Sequence, residues 1–338
     1  MAQSLRPRLA VTLGDPAGVG PELVLRLLAD QQVATQCQLV VYGCSRLALR
    51  VAEAARISFS PEQLPYGHTW CEIPFAEALT IRPGEVQAPC GAQALACIER
   101  ATRDVLERRA EALVTAPINK ESLHLAGVNF PGHTELLAYL TKSTREPCMA
   151  FFADVDRQKP VFPMVSLVTI HEPLSKVSSL LTVERIASVV TRTDEACRMR
   201  GIQSPRIGVL AFNPHAGEGG LFGDEERLAI QPAIHLAREQ GIQAFGPLIP
   251  DTAFLEKYDA LVAMYHDQGL IPFKMAAFDS GVNVTLGLPI IRTSPDHGTA
   301  FKIAWQGLAK VGSFKNALLL AAQFAAADQM REKPACSR

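Results

Sequence analysis

The sequence has no long hydrophobic run, no extended block of basic residues and no closely spaced cysteine pair. No apolar run approaches the ~20 residues that span a bilayer, and the opening MAQSLRPRLAVTL lacks the apolar core of a signal peptide. We therefore expect a cytoplasmic protein with no membrane partner. The net charge of −1, from 33 basic and 34 acidic residues, argues against a nucleic-acid-binding surface.

Two common motif classes are also missing. None of the eight cysteines forms a C-x-x-C pair, so neither a zinc ribbon nor a dithiol redox site is indicated, and we expect reduced thiols. The loop LGDPAGVGPE, residues 13–22, has the spacing G-x-x-x-G-x-G. This spacing is neither the G-x-G-x-x-G dinucleotide fingerprint nor a Walker loop, so the pattern gives only weak support to a Rossmann fold.

Short apolar runs alternate with longer segments of helical period, which predicts an α/β fold. At 338 residues, 48% of them hydrophobic, the chain is long enough for two domains or one large one. The last strand pattern, VNVTLGLPIIRTS, is compatible with one strand or two. Predicted strands are 8–13, 38–43, 112–117, 148–153, 163–170, 206–212 and 260–265, and predicted helices are 91–112, 182–200, 224–240 and 313–330, with another starting at Pro21.

Histidines follow several of the predicted strands. PMVSLVTIH ends at His171, RIGVLAFNPH at His215 and ALVAMYH at His266, where we expect a glycine turn in DQGLIP. Ligands of open α/β sheets bind beyond the carboxyl ends of the strands, and three imidazoles at one edge would make a metal site with an open position. The alternative is that each histidine is a polar strand-end residue bonded to backbone.

Further residues are candidates for holding an anion. In FPGHTELL, His133 and Thr134 begin a predicted helix, where Thr134 is either an N-cap or part of an anion site at the helix N-terminus. Arg292 lies within the apolar run LPIIRTS, which requires an anionic partner or an exposed edge. Lys274 and Asn283 are further donors, and the glycine segment SPDHGTA, residues 294–300, either binds a nucleotide or forms a turn.

Taken together, these segments identify a family. GDPAGVGPE, TAPINK, PGHTELL, NPHAGEGG, YHDQG, GVNVTLGLPIIRTS and DHGTAF, which run from residue 12 to about residue 301, resemble the signature segments of 4-hydroxythreonine-4-phosphate dehydrogenase, the PdxA family. The resemblance implies a two-domain α/β/α subunit of the isocitrate and isopropylmalate dehydrogenase type with the active site in the interdomain cleft. The predicted domains are 1–125 plus 275–332 on the nucleotide side and 126–274 with the metal ligands and the dimer interface.

The resemblance also implies a homodimer whose active site is shared between subunits. It implies NAD or NADP as cofactor and one divalent ion, zinc, magnesium or cobalt, in each site. Asp251 matches a position near the site and is a candidate catalytic residue with Lys274. The implied metal ligands are His171, His215 and His266, the substrate-binding residues His133, Thr134, Lys274, Asn283 and Arg292, and the cofactor-binding residues Asp296, His297, Gly298 and Thr299.

The implied reaction is oxidation of 4-(phosphooxy)-L-threonine at C3, followed by decarboxylation, in pyridoxal phosphate biosynthesis. One residue departs from the family pattern, because Glu172 stands where many members carry an apolar residue. Dehydrogenases of D-threonate and D-erythronate 4-phosphate share the ligand set and are the alternative, since a few side chains can exchange an amino group for a hydroxyl. A non-catalytic or transferase-type phosphate-binding protein on the same sheet is the third hypothesis.

Overall fold

The computed structural model describes residues 6–153 and 164–332 of the chain. The chain forms two compact units, one of Met1–Pro147 with Leu288–Arg338 and one of Cys148–Gly287. None of the helices in the described ranges combines the length and the hydrophobicity needed to cross a lipid bilayer. The domain boundaries near residues 125 and 275 stay a prediction.

A parallel sheet forms the centre of the first unit. Its strands are β1 (Arg8–Thr12), β2 (Gln38–Gly43), β3 (Thr69–Glu72), β4 (Ala112–Thr115) and β11 (Ile291–Pro295). They lie in the order β3-β2-β1-β4-β11. The central strands are almost wholly buried, as is typical of parallel strands covered by helices on both faces.

Helices cover the sheet of the first unit. Tyr42 of the sheet packs in one buried cluster with Ile98 and Leu137 from two of these helices. The helices are α1 (Gly20–Leu28), α2 (Gln31–Gln36), α3 (Ser45–Ala55), α4 (Ala88–Leu106), α5 (Lys120–Leu125), α6 (His133–Leu140) and α12 (Gly312–Glu332), with 3₁₀ turns at Pro65–Gly67, Ala76–Leu79 and Phe301–Ile303.

The second unit contains a mixed set of strands. The strands are β5 (Cys148–Phe152), β6 (Met164–Leu167), β7 (Ile207–Leu210), β8 (Ala244–Leu248), β9 (Ala260–Ala263) and β10 (Val282–Leu286). Their order is β10-β5-β6-β9-β7-β8. The pairs among β10, β5 and β6 are antiparallel, whereas β6, β9, β7 and β8 run parallel, so their carboxyl ends share one edge.

Helices and one irregular turn complete the second unit. A π-helical turn runs directly into a regular helix, so the predicted helix 224–240 is divided in two. The elements are α7 (Leu174–Leu180), α8 (Val183–Met199), a turn at Pro214–Gly220, the π-helical turn Glu226–Ile230, α9 (Gln231–Glu239), α10 (Pro250–Ala253) and α11 (His266–Ala277).

Most predicted elements are confirmed within a few residues. Helix α8 begins after Thr182, whose hydroxyl accepts a hydrogen bond from the Arg185 backbone at 3.2 Å. The open question of residues 282–294 is settled as two strands, because the chain turns at Gly287 with φ +90°. Residue 163, the first of one predicted strand, lies outside the described ranges.

The prediction of a glycine turn after His266 was wrong. Helix α11 begins at His266 and continues through Gly269 and Pro272. Glycine serves close packing there, since an added Cβ at Gly269 would lie 2.7 Å from the Val165 side chain. Gly269 is therefore suited to its place in α11, because the helix lies directly against the strands there.

Candidate functional site

The predicted metal ligands follow three adjacent parallel strands of the second unit. His171 follows β6, His266 follows β9 and His215 follows β7, and β9 pairs with both of the other strands. The shared strand direction therefore places all three segments at the same edge of the sheet. His171 and His215 are exposed, and His266 is partly exposed.

Two of these imidazoles lie together. The ring centroids of His171 and His266 are 5.5 Å apart. Nδ1 of His266 lies 2.7 Å from Oδ1 of the exposed Asp267. A carboxylate at this distance favours the tautomer with the proton on Nδ1, which leaves the lone pair of Nε2 available to a ligand, as in many metal-ligating histidines.

The third imidazole is not grouped with this pair. Among the residues that the structure describes, no three His, Cys, Asp or Glu side chains stand close enough to hold a metal ion. The donor set itself fits zinc or cobalt, since neutral imidazoles suit both ions. Two of the predicted ligands thus lie side by side, and the third follows a strand that ends at the same edge of the sheet.

Other predicted residues of the second unit lie on different elements. Lys274 is in the last turns of α11, with its Nζ 5.9 Å from the centre of the Phe278 ring. Asn283 is on β10 and is partly buried, whereas Asp251 on α10 is exposed. Glu172 is exposed.

Arg292 is a buried charged side chain of the first unit. It lies on β11 and is 3% exposed, and its Nε and Nη2 donate to the Thr115 hydroxyl at 3.2 and 2.7 Å. Burial lowers the pKa of Arg292 to about 9, and the nearby Glu135 opposes that shift. The guanidinium therefore stays charged at neutral pH, and a buried cation of this kind favours an anionic ligand.

His133 and Thr134 lie at the start of α6 in the same unit. Burial and the charge of Arg292 lower the pKa of His133 well below its usual value, so the ring is neutral. Its buried Nε2 has no hydrogen-bond partner within the described residues. The N-cap is Gly132 and Thr134 lies inside the helix, so the N-cap interpretation of Thr134 was wrong and helix N–H groups remain for an anion.

The predicted cofactor segment packs against the glycine-rich loop. The Thr299 carbonyl accepts a hydrogen bond from the Val19 N–H at 2.9 Å, where α1 begins. An added Cβ at Gly18 would lie 3.0 Å from Cβ of Thr299. His297 and Gly298 are exposed, and the Asp296 N–H donates to the Ser313 hydroxyl at 3.0 Å. The two glycine segments, which the sequence presents as separate features, thus form one surface of the first unit.

Asp15 in the glycine-rich loop was not singled out from the sequence. It has no solvent exposure, and its Oδ1 accepts a hydrogen bond from the Ala17 N–H at 2.8 Å. Burial raises its pKa from the ordinary 3.8 to about 6. Because the folded protein holds this proton more tightly than the unfolded chain, stability is lost as the pH rises from 3.8 to about 6.

Asp15→Asn should therefore stabilise the protein at neutral pH. A shift of this size corresponds to a gain of about 3 kcal/mol in the free energy of unfolding. Urea unfolding at pH 7.5 and at pH 4 should show the gain at the higher pH and little difference at the lower one. A variant that is no more stable than the parent at pH 7.5 would contradict the assignment.

Comparisons with known proteins agree with this architecture. The model of the family described as pyridoxal phosphate biosynthetic protein PdxA matches residues 28–321. A 4-hydroxythreonine-4-phosphate dehydrogenase of Geobacter metallireducens is 44% identical, covering 95% of this chain and 96% of the relative. A D-threonate 4-phosphate dehydrogenase of Salmonella typhimurium is also 44% identical, covering 94% and 98%.

A solved structure gives the same result at the level of the fold. The crystal structure of a 4-hydroxythreonine-4-phosphate dehydrogenase from Klebsiella pneumoniae superposes with a TM-score of 0.82 at 42% identity, covering 96% of this chain and 99% of that one. The α/β fold class predicted from the sequence is confirmed.

Proposed function

Since the chain belongs to the PdxA family and is an oxidoreductase, we propose that it oxidises 4-(phosphooxy)-L-threonine at C3 with NAD as hydride acceptor. The product, 2-amino-3-oxo-4-(phosphooxy)butanoate, would lose carbon dioxide to give 3-amino-2-oxopropyl phosphate. This reaction belongs to pyridoxal phosphate biosynthesis, which the description of the family names.

The observation that carries the proposal is the pair of imidazoles at the sheet edge. His171 and His266 lie with ring centroids 5.5 Å apart after neighbouring strands, and His215 follows the next strand. We assign these three histidines to one divalent ion, Zn²⁺, Mg²⁺ or Co²⁺. When bound, the ion supplies a Lewis acid for the substrate hydroxyl and for the ketone formed from it.

The remaining roles follow from charge and burial. Arg292 stays protonated and has both Nε and Nη2 on Thr115, which orients the guanidinium for an anionic group of the substrate. His133 is neutral, so its Nε2 can donate or accept a hydrogen bond according to tautomer. We assign Lys274 to moving the proton of the substrate hydroxyl, with Asn283 as a hydrogen-bonding partner of the substrate and Asp251 as a second candidate for proton transfer.

The nucleotide is assigned to the joined glycine segments of the first unit. Asp296 to Thr299 and the loop before α1 are linked through the hydrogen bond between Val19 and Thr299. NAD, or NADP, accepts the hydride when it is bound.

A homodimer fits the apolar surface of the second unit. Ile271 and Met275 on α11 and Phe278 directly after it are 60%, 85% and 73% exposed, at helical spacing. Leu221 and Phe222, just after the His215 turn, are 78% and 53% exposed. Apolar side chains exposed on the elements that carry His215 and His266 favour a subunit interface beside the metal ligands.

D-threonate 4-phosphate is the second candidate substrate, because relatives named for the two activities are equally identical to this chain at 44%. The two substrates differ in an amino group against a hydroxyl. If the site forms hydrogen bonds with the amino group, kcat/KM for 4-(phosphooxy)-L-threonine should exceed that for D-threonate 4-phosphate by roughly 100-fold or more.

The test follows the reduction of NAD and of NADP by absorbance with each of the two substrates. The protein is first treated with a chelator, and Zn²⁺, Mg²⁺ or Co²⁺ is then added back. The opposite preference would favour the second candidate. Absence of reduced nicotinamide with both substrates would refute the dehydrogenase assignment.

A further inference from the structure

The segment that carries His215 has an unusual backbone. Residues 215–219 all have positive φ, between 43° and 77°. His215, Ala216 and Glu218 are not glycine, and left-handed conformation is unfavourable for L-residues. Neighbouring groups must therefore hold this turn in place.

The carboxylate of Glu226 is the main polar contact at the entrance to the turn. Glu226 is 4% exposed. Its Oε1 accepts hydrogen bonds from the backbone N–H groups of Phe212 and Asn213 at 2.8 and 2.7 Å. Its Oε2 accepts one from the Asn213 side-chain amide at 2.9 Å. These bonds fix the direction in which the chain leaves β7, two residues before His215.

The same carboxylate also contacts the middle of the turn. An added Cβ at Gly217 would lie 2.8 Å from Oε2 of Glu226, so the turn wraps closely around this oxygen. Gly217 itself is buried and has φ +77°. One carboxylate is thus hydrogen-bonded at the entrance of the turn and lies against its middle.

Gln268 links the exit of β7 to the segment of His266. Its Oε1 accepts from the Met264 N–H and its Nε2 donates to the Ala211 carbonyl, both at 2.7 Å. The segment that Glu226 holds is therefore tied to the segment that carries His266. The contacts of Glu226 and Gln268 form a chain between two of the predicted metal ligands.

We propose that Glu226 is a positioning residue that holds the left-handed turn and so keeps His215 at the edge of the sheet where His171 and His266 lie. The proposal rests on the metal-dependent reaction proposed above. A carboxylate is the suitable group because its two oxygens accept three N–H bonds. In Glu226→Gln one oxygen is retained, but an NH₂ group can face the NH₂ group of Asn213.

The test uses Co²⁺ binding and hydrogen exchange in the full-length protein. Glu226→Ala should weaken Co²⁺ affinity, measured by chelator competition, by about tenfold or more and change the visible spectrum of bound Co²⁺. The Co²⁺ affinity of Glu226→Gln should lie between that of the parent protein and that of Glu226→Ala. Hydrogen exchange followed by mass spectrometry should be faster at residues 212–220 in metal-free Glu226→Ala. The control, Glu239→Ala, removes a carboxylate of α9 that pairs with His235, and should leave all three readouts unchanged.

Two outcomes separate the proposals. A parent protein that binds no Co²⁺ would refute the metal-dependent reaction. If the parent binds Co²⁺, equal affinity and an equal spectrum in Glu226→Ala would refute the role of Glu226 alone, even with faster exchange. Should Glu226→Ala fail to fold, Glu226→Gln decides, and parent-like affinity and spectrum in that variant overturn the proposal.

Discussion

His215→Ala should lose at least roughly 10³-fold in kcat, which corresponds to about 4 kcal/mol of transition-state stabilisation. The variant keeps His171 and His266, whose rings lie 5.5 Å apart, but two imidazoles hold a divalent ion less tightly than three. Turnover is measured as NADH formation at saturating substrate, with and without excess Zn²⁺ or Co²⁺. Partial recovery at high metal concentration would identify weakened metal binding as the cause.

The matched control is His235→Ala. His235 is an exposed histidine of α9 that pairs with Glu239, and its loss should leave turnover unchanged. Sedimentation should give the same mass, that of a dimer, for the parent and both variants, because the replaced rings are not apolar interface side chains. Near-normal activity of His215→Ala would remove this residue from the metal site.

Arg292→Ala should reduce kcat/KM by roughly 10³-fold, because a charged hydrogen bond to a buried anion is worth several kcal/mol. Arg292→Lys keeps the charge but loses the planar pair of donors that Thr115 holds, so a loss of roughly 10²-fold is expected. Both losses should appear mainly as a higher KM, and initial-rate measurements over a range of substrate concentrations separate KM from kcat.

Arg50→Lys is the control for Arg292→Lys. Arg50 is a partly buried arginine of the same unit that donates to the carbonyls of Ala78 and Ile81 and stacks on Trp305. Its replacement should alter stability without changing KM. If Arg292→Lys binds substrate as well as the parent does, the guanidinium has no part in anion recognition.

Local sequence was a good guide wherever the residue pattern is regular. Helix α8 and the strand pattern around Ala260 follow from 3.6-residue and apolar-run periodicity, and Thr182 marked the helix start correctly. The strands β3 and β8 were missed, because TWCE lies in a proline-rich segment and AFGPL contains Gly246 and Pro247. Helix α11 was mistaken for a turn because Gly269 and Pro272 usually end helices.

For the candidate site, the sequence predicted which residues take part but not which side chains contact them. The histidines after strands are visible in the chain, and so is an arginine within an apolar run. Thr115, which carries two hydrogen bonds of Arg292, lies 177 positions away from it. The sequence did not indicate a special role for Glu226 either, because an acidic residue near the start of a predicted helix is common.

The α/β class, the family and the strands that precede His171, His215 and His266 follow from the order of the amino acids alone. These features depend on neighbouring residues and on segments that keep their order along the chain. Three other features became visible only in the folded chain: β9 lies between β6 and β7, the rings of His171 and His266 lie together, and Arg292 is buried against Thr115. Strand order and burial depend on contacts between residues far apart in the chain, and local periodicity carries no information about them.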